Sequence, residues 1–529
     1  MRVIFLCFQS IPNVIGVKYL HAYIRSKGYD SSILVIPSSK ATVRAALDFV
    51  VKNNPDVLCF SIMEVNFNIA HYFSCYLRPL LPHCTFIFGG VYATISPEEC
   101  LEVCDIAVRG EGEQTLHELL KILERKKFSD IEAVPNVVFK KDGRCVYNPL
   151  MPPLKDIDIL PYPRHMPEET YMAHGNTILN IRDKRSHKLY NCHFIDILTS
   201  RGCPFSCRYC FNQFLNSLYG SAYLRFRAVD SVIDEIKTEV RDFDKIRHIV
   251  FIDDCFTMHS MEWMENFSRR YAKEIKIPFF IKTPPAFVNE KRLRLLKDAG
   301  LAWVSMGLES GSQRINKEVY GRDVPESIFL SAVNTVSAMN ISLSCNIIVD
   351  NPYETEDDIN KTFDMLLKIP RPYVLKFNSL IFFRGTEIRR MALKDKISLE
   401  YLERRPGAIN IETSITNIFY QMCAVFSPWV LRPFFRRRHK LIGKIFGLFF
   451  TLLFMIYLPF AYVWLYFKST RFNLKNSLEV IIDNTYYWLR MLFSQIIFIS
   501  PLYDKRRIKK KRGMVTEGFD LILEEKKRM

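Results

Sequence analysis

Two series of short apolar runs, separated by amphipathic stretches, constrain the fold of this chain more than any other feature. Between residues 191 and 400 the runs are "FIDILTS", "HIVFIDD", "PFFIK", "AWVSMGLE", "LSCNIIVD" and "VLKFNSLIF". Helical periodicity fills the intervals at 229–241, 261–275, 289–299, 326–339 and 355–367. An unbroken apolar run is what a strand covered on both faces requires, and parallel strands need a crossover, usually a helix, between them. The series therefore predicts a parallel βα barrel or part of one, with its working groups at the C-terminal ends of the strands. The earlier series, "RVIFLCF", "SSILVI", "DVLCFSI", "TFIFGG" and "DIAVRGEG", alternates with amphipathic segments at 16–27, 41–52 and 67–81. It predicts a doubly wound, Rossmann-like α/β domain over 1–148, closed by the hairpin "NVVFKKDGRCVY" turning at Asp142-Gly143. The Pro-rich stretch that follows reads as an extended linker over 149–190.

A chain of 529 residues is too long for one core, and 49% apolar residues exclude a largely disordered one. The 14 cysteines are scattered, which is not the pattern of a small disulfide scaffold. The apolar start "MRVIFLCF" is too short for a secretory signal, so the expected setting is a reducing cytosol.

The net charge of +17 is concentrated: residues 432–529 hold 20 Lys/Arg against 7 Asp/Glu. Residues 401–529 therefore read as a helical, apolar and basic C-terminal region. Within it, 445–467 is a run of 23 residues without charge, long enough to span a bilayer. The run could cross a membrane, lie in its interface with the basic residues on anionic headgroups, or pack as buried helix on the barrel. The expectation is a cytoplasmic protein attached to the cytoplasmic face of the membrane through this region. Nucleic acid is not an expected partner, because the basic residues interleave with long apolar runs.

The stretch "SRGCPFSCRYCFNQ" sets Cys203, Cys207 and Cys210 at C-x3-C-x2-C spacing directly after a predicted strand. Structural metal sites usually take four protein ligands. Cys192 or His193 could complete a zinc site, and three unrelated loop cysteines are the plainer alternative. A catalytic centre instead keeps one position open for its substrate.

This loop, with an aromatic residue before its last cysteine and a place after the first barrel strand, resembles that of the radical SAM (S-adenosylmethionine) superfamily. The resemblance implies that Cys203, Cys207 and Cys210 hold three irons of a [4Fe–4S] cluster as catalytic and metal-binding residues. The fourth iron would be left to S-adenosylmethionine, whose reductive cleavage gives a 5′-deoxyadenosyl radical. Further matches imply cofactor contacts from Asp253 and Asp254 in "FIDDCFT", and from Glu309 and Ser310 in "VSMGLESGSQRI". Helix capping would equally suit the aspartate pair. Tyr209 and Phe211 would lie beside the adenine, and Lys282 stands where relatives often have Arg. Two loops depart from the family pattern: "VDNPYETEDD" where relatives read G-L-P-G-E-T, and "FFRGTEI", containing Arg384, where they read P-x-P-G-T. Both would face the pocket and imply a divergent substrate.

The first domain has no G-x-G-x-x-G after its first strand, which argues against a dinucleotide. Its loops resemble those of the cobalamin-binding domain that precedes the barrel in one large subclass. That resemblance assigns Ser61, Gly89, Gly90, Gly110, Glu111 and Gly112 to the cobalamin, the glycines letting backbone approach a large flat ligand. The D-x-H-x-x-G signature is absent, so no protein histidine is expected on cobalt. The further cluster cysteines of the methylthiotransferases that modify tRNA are not matched either. The implied function is cobalamin-dependent methylation of an unactivated carbon in a small-molecule or lipid-like substrate. An external electron donor such as flavodoxin or ferredoxin would be needed. Alternatives are a radical SAM cyclase or rearrangement enzyme without methyl transfer, and a membrane-attached cobalamin-binding sensor or scaffold with a vestigial barrel.

Overall fold

The computed structural model describes residues 1–441 apart from 38, 184–185, 187–192, 244–245 and 399–414, together with 443, 445, 446 and 449. The first sheet contains β1 (Arg2–Cys7), β2 (Asp30–Val35), β3 (Val57–Ser61), β4 (Thr85–Gly89), β5 (Ile106–Val108), β6 (Val137–Lys141), β7 (Arg144–Tyr147), β8 (Thr170–His174) and β9 (Thr177–Asn180). Their spatial order is β7-β6-β5-β4-β3-β1-β2-β8-β9. β1 to β5 are parallel, and both faces are buried. Leu6, Phe60 and Phe88 pack on one side, while Val3, Phe5 and Ile87 pack on the other. Chain order reverses between β1 and β3, which opens a crevice beyond their C-terminal ends.

The predicted hairpin is β6–β7. Asp142 and Gly143 both have positive φ, 51° and 75°, as a two-residue turn of the primed kind requires. The stretch read as a linker differs from expectation. Part of it returns to the first sheet, with β8 parallel to β2 through Ile33↔Thr170 and β9 antiparallel to β8. The reason is local: Thr170 and Met172 are buried, Tyr171 lies 5.1 Å from Phe49, and Gly175 takes a left-handed turn at φ 56°.

The second sheet contains β10 (Phe194–Ile197), β13 (His248–Phe251), β14 (Phe279–Lys282), β15 (Leu301–Glu309), β16 (Ser342–Val349) and β17 (Val374–Ser379). They run parallel in that order, and β10 and β17 do not pair with each other, so the barrel is partial. A small antiparallel pair, β11 (Ser200–Arg201) and β12 (Arg225–Phe226), follows β10. The covering helices are Val229–Asp242, Met261–Glu274, Glu290–Ala299, Glu326–Ala338 and Glu356–Lys368, each within a residue of its predicted bounds. Side-chain caps fix three of their starts: Ser260, Asn289 and Thr355 accept backbone N–H groups three residues on. One face of the strands, with Ile281, Val304, Met306, Cys345 and Ile347, packs on these helices. The other face looks into the barrel.

Two further helices, Ile415–Met422 and Pro428–Phe435, dock on the outside of the barrel, where Phe435 stacks on Phe363 at 3.7 Å. Most of 445–467 lies outside the described residues. Among the described residues no helix is long and apolar enough to cross a membrane.

Phe267 is fully buried and its ring meets those of Phe251, Phe256, Trp263, Tyr271 and Phe279. Phe267→Ala leaves a void that these rings cannot fill without leaving their own rotamers. It should lower unfolding stability by about 3–5 kcal/mol, read as a reduced urea midpoint with little change in slope.

Candidate active site

The cysteine loop leaves β11 and ends where Cys210 caps the helix Phe211–Tyr219. Burial pushes the Cys203 thiol up to about 12 and the Cys210 thiol up to about 11, and raises Cys207. Backbone N–H groups of Phe205 and Asn212 oppose this at Cys203 and Cys210, as Arg322 does at Cys207. Such thiols stay protonated alone, and a bound cation would deprotonate them. Among the described residues no three His, Cys, Asp or Glu side chains converge on a single ion. Three cysteine thiols on one loop beside Asp254 are the soft donor set that an iron–sulfur cluster takes. Of the two extra zinc candidates, Cys192 lies outside the described residues, and His193 is buried at the start of the barrel.

The two aspartates after β13 have separate surroundings. Asp253 is fully buried and accepts from Thr199 N at 3.0 Å, Thr199 Oγ1 at 2.8 Å and Ser200 Oγ. It fastens the end of the first barrel strand and turns away from the open site. Thr199 Oγ1 spends its one proton on Asp253, so His259 Nε2–H is the donor in the 2.7 Å bond between them. Asp254 accepts from Asn212 Nδ2 at 2.8 Å and stands beside Cys203 and Cys210.

Glu309 ends β15 with φ 62°, at a register shift that turns the strand. It is hydrogen-bonded to Tyr209 and lies 3.3 Å from Arg322 Nη1, next to Cys207. Tyr209 also packs edge-on against Tyr320 at 5.3 Å. Ser310 is buried, and its hydroxyl lies 3.2 Å from Thr362 Oγ1 and accepts from Ser312 N.

The residues assigned to cobalamin meet the cysteine loop across a cavity of ≈ 390 Å³. Ser61, Gly89, Gly90, Gly110, Glu111 and Gly112 line one side, and Arg201, Phe211, Leu215, Tyr219, Tyr223 and Asp254 the other. A Cβ built on Gly89 meets no atom within 4 Å, so a side chain there would stand in the cavity and take the space of a ligand. At Gly110 (φ 72°) a Cβ would fall 1.7 Å from Tyr219 Oη, which shows how closely the two domains approach. Glu111 is bound by protein: Arg225 Nη2 lies at 2.7 Å and Arg201 Nη1 at 3.3 Å, and Arg201 Nη2 also reaches Glu113 at 2.8 Å. These guanidiniums hold the Glu111 carboxyl below its usual range against the effect of burial.

The sequence reading did not single out Arg201, Arg225, Arg322 or His259. The arginine before Gly202 in "SRGC" was the available signal. Arg384 also differs from expectation. Its backbone N–H donates to Glu64 at 2.8 Å and its guanidinium pairs with Glu99, so its loop grips the first domain. The Asp350–Asn351 loop is likewise tied inward, with Asn417 Nδ2 on Asp350 at 3.1 Å and Asn351 Nδ2 on Tyr320 Oη at 3.1 Å.

Residues 197–366 match the family model of the radical SAM superfamily. That part of the chain is a radical SAM domain. Residues 1–120 match the B12 binding domain, so the chain carries this domain ahead of the barrel. Its cofactors are a [4Fe–4S] cluster, S-adenosylmethionine and cobalamin. An uncharacterized methyltransferase of Pyrococcus horikoshii is 24% identical over 390 residues, covering 73% of this chain and 79% of that one. An anaerobic magnesium-protoporphyrin IX monomethyl ester cyclase of Rubrivivax gelatinosus is 24% identical over 358 residues, 66% of this chain and 61% of the cyclase. The radical S-adenosylmethionine methyltransferase TsrM of Kitasatospora setae has the same fold, with a TM-score of 0.61, 16% identity and coverage of 75% and 77%.

Burial pushes the imidazoles of His259 and His248 down to about 3 from the ordinary 6.5. Between those values the unfolded chain binds more protons than the folded one. Stability therefore falls as pH is lowered through this window, by up to about 1.4 kcal/mol per pH unit for each group. Urea unfolding at neutral and mildly acidic pH should show a smaller acid loss for His259→Gln than for the wild type.

Proposed function

We propose that this protein is a cobalamin-dependent radical SAM methyltransferase acting on an unactivated carbon of a small-molecule or lipid-like substrate. One observation carries the reading: Asp254 and Phe211 border the cysteine loop and also line the cavity above the glycine-rich strand ends. A methyl donor in that cavity and a radical source at the cysteines would share a wall, as transfer to one substrate carbon demands. When bound, the cluster and S-adenosylmethionine supply the hydrogen-abstracting radical, and cobalamin supplies the methyl group.

In this reading Cys203, Cys207 and Cys210 hold the cluster. Asp254 accepts from the amino group of S-adenosylmethionine, and Glu309 with Tyr209 orients its polar groups. Phe211 shields the site from water. Asp253 and Ser310, whose oxygens are engaged within the protein, position the strand ends. Ser61, Gly89, Gly90, Gly110 and Gly112 form the cobalamin cradle, while Glu111 fixes the domains around it. An external reductant such as flavodoxin or ferredoxin supplies the electron. The long uncharged run at 445–467 and its basic flanks support attachment to the cytoplasmic face of a membrane through residues 401–529.

A second reading, ring closure without methyl transfer, draws on the cyclase relative, which is as identical to this chain as the methyltransferase is. Turnover with methyl-labelled S-adenosylmethionine in cell extract separates the two, since only the first leaves label in a product other than the cofactor's own fragments.

Anaerobically reconstituted protein should form 5′-deoxyadenosine under reduction and retain cobalamin through gel filtration. Replacing Cys203, Cys207 or Cys210 by Ala should abolish the 5′-deoxyadenosine. Gly89→Val should weaken cobalamin retention by about tenfold, or ~1.4 kcal/mol, with iron content unchanged. A cluster-loaded sample that does neither refutes the proposal.

A further inference from the structure

The inner face of the barrel holds two ammonium groups, Lys282 and Lys376, that form no salt bridge among the described residues. Side chains alternate along a strand, so the face opposite the helix-packed residues carries Phe280 and Lys282 on β14 and Trp303 and Ser305 on β15. It carries Ser344 and Asn346 on β16 and Lys376 on β17. The register sets Lys282 beside Ser305, Ser305 beside Ser344, and Asn346 beside Lys376. Lys376 Nζ reaches across the open barrel to lie 5.5 Å from the Phe280 ring.

Among the described residues no carboxylate stands within salt-bridge distance of either ammonium. The acids nearest this space, Asp196 and Asp254, both feel the Lys282 charge but hydrogen-bond elsewhere: Asp196 accepts from Asn13 of the first domain, and Asp254 accepts from Asn212. Lys376 is open to solvent yet ringed by protein, and desolvation, then Lys282, lowers its basicity. Two neutral donors on the same face are unpartnered although buried, Trp303 Nε1 and Ser344 Oγ. Ser344 is fully buried, with no exposed surface. The two donors mark a polar stripe on this face.

We propose that this face binds an oxyanion of the substrate, a carboxylate or a phosphate, between Lys282 and Lys376. The inference rests on the radical SAM reading, because it takes the barrel interior as the place where substrate meets the radical. It narrows the substrate to an anionic molecule whose charged group points into the barrel and whose reacting carbon lies toward the cysteine loop.

Lysine acetylation by a water-soluble N-hydroxysuccinimide ester, read residue by residue by mass spectrometry, tests it on the full cluster-loaded chain. S-adenosylmethionine is present throughout, and inorganic phosphate or acetate is titrated in. A probe at about twice its dissociation constant leaves roughly a third of the sites free, so labelling of Lys282 and Lys376 should slow about threefold. Exposed Lys291 and Lys317, with 71% and 67% of their side chains accessible, should label at an unchanged rate. Lys376→Met should remove the protection at Lys282. Protection by phosphate alone assigns a phosphorylated substrate, and protection by acetate assigns a carboxylate. No protection by either anion, or equal slowing at all lysines, overturns the proposal. So does protection by S-adenosylmethionine with no further effect of either anion, because the lysines then serve the cofactor. The same sample is assayed for 5′-deoxyadenosine. Radical formation without anion protection removes only this inference, and anion protection without radical formation removes only the functional reading beneath it.

Discussion

The arrangement of the two domains depends on one carboxylate. Glu111 sits in the last glycine-rich loop of the first domain and holds the guanidiniums of Arg201 and Arg225, on either strand of the small pair that launches the cysteine loop. The arginine side chains are 14% and 6% accessible, so their charges have little water to fall back on. A buried ion network of this kind adds modest net stability, but loss of one partner strands the others. Its value here is positional. The same short segment, Ser200 to Cys203, leads from the carboxylate hub to the first cysteine, so the orientation of the first domain and that of the cluster loop are set together. Arg384, bound to Glu64 and Glu99, makes a second tie on another strand-end loop of each domain.

Inside that frame the first barrel strand ends in a fully satisfied knot. Asp253 accepts from the backbone and hydroxyl of Thr199 and from Ser200, and His259 supports Thr199 from the other side. A buried carboxylate with this many donors is fixed in place. Cys203 begins three residues after Ser200, so the knot limits where the loop can start. The adjacent Asp254 has a single amide partner and faces the open side. Two neighbouring aspartates thus divide the work, one holding the strand and one facing the ligand space.

The strand–helix alternation made the barrel legible in the sequence. Five helices and six strands follow from apolar periodicity, because strands buried on both faces and helices buried on one leave unmistakably different patterns. The cysteine triad was legible for the same local reason. What escaped depends on residues far apart in the chain. The partners of Arg384 lie 285 and 320 positions away, and Glu111, the carboxylate that Arg225 holds, lies 114. No local spacing encodes such pairs. The hairpin β8–β9 escaped because its five-residue strand sits against a proline-rich stretch that reads as linker. The sequence grouped Asp253 with Asp254, and the structure separates their surroundings, because neighbouring residues can face opposite ways.

The departures from the family loops take on a different sense once the contacts are known. An altered loop after β17 was expected to describe the substrate, yet Arg384 describes the interface with the first domain. The loop after β16 is tied down by Asn417, Tyr320 and its own carboxylates. Variation in these two loops therefore says more about how this chain holds itself together than about what it acts on. Polar side chains without a hydrogen-bond or salt-bridge partner are the better guide to substrate, since a folded chain satisfies its buried polar groups wherever it can. By that criterion the informative positions lie deeper, along the inner face of the strands at Lys282, Trp303, Ser344 and Lys376. At two of them, Lys282 and Lys376, this chain places charge on the strand face that lines the barrel.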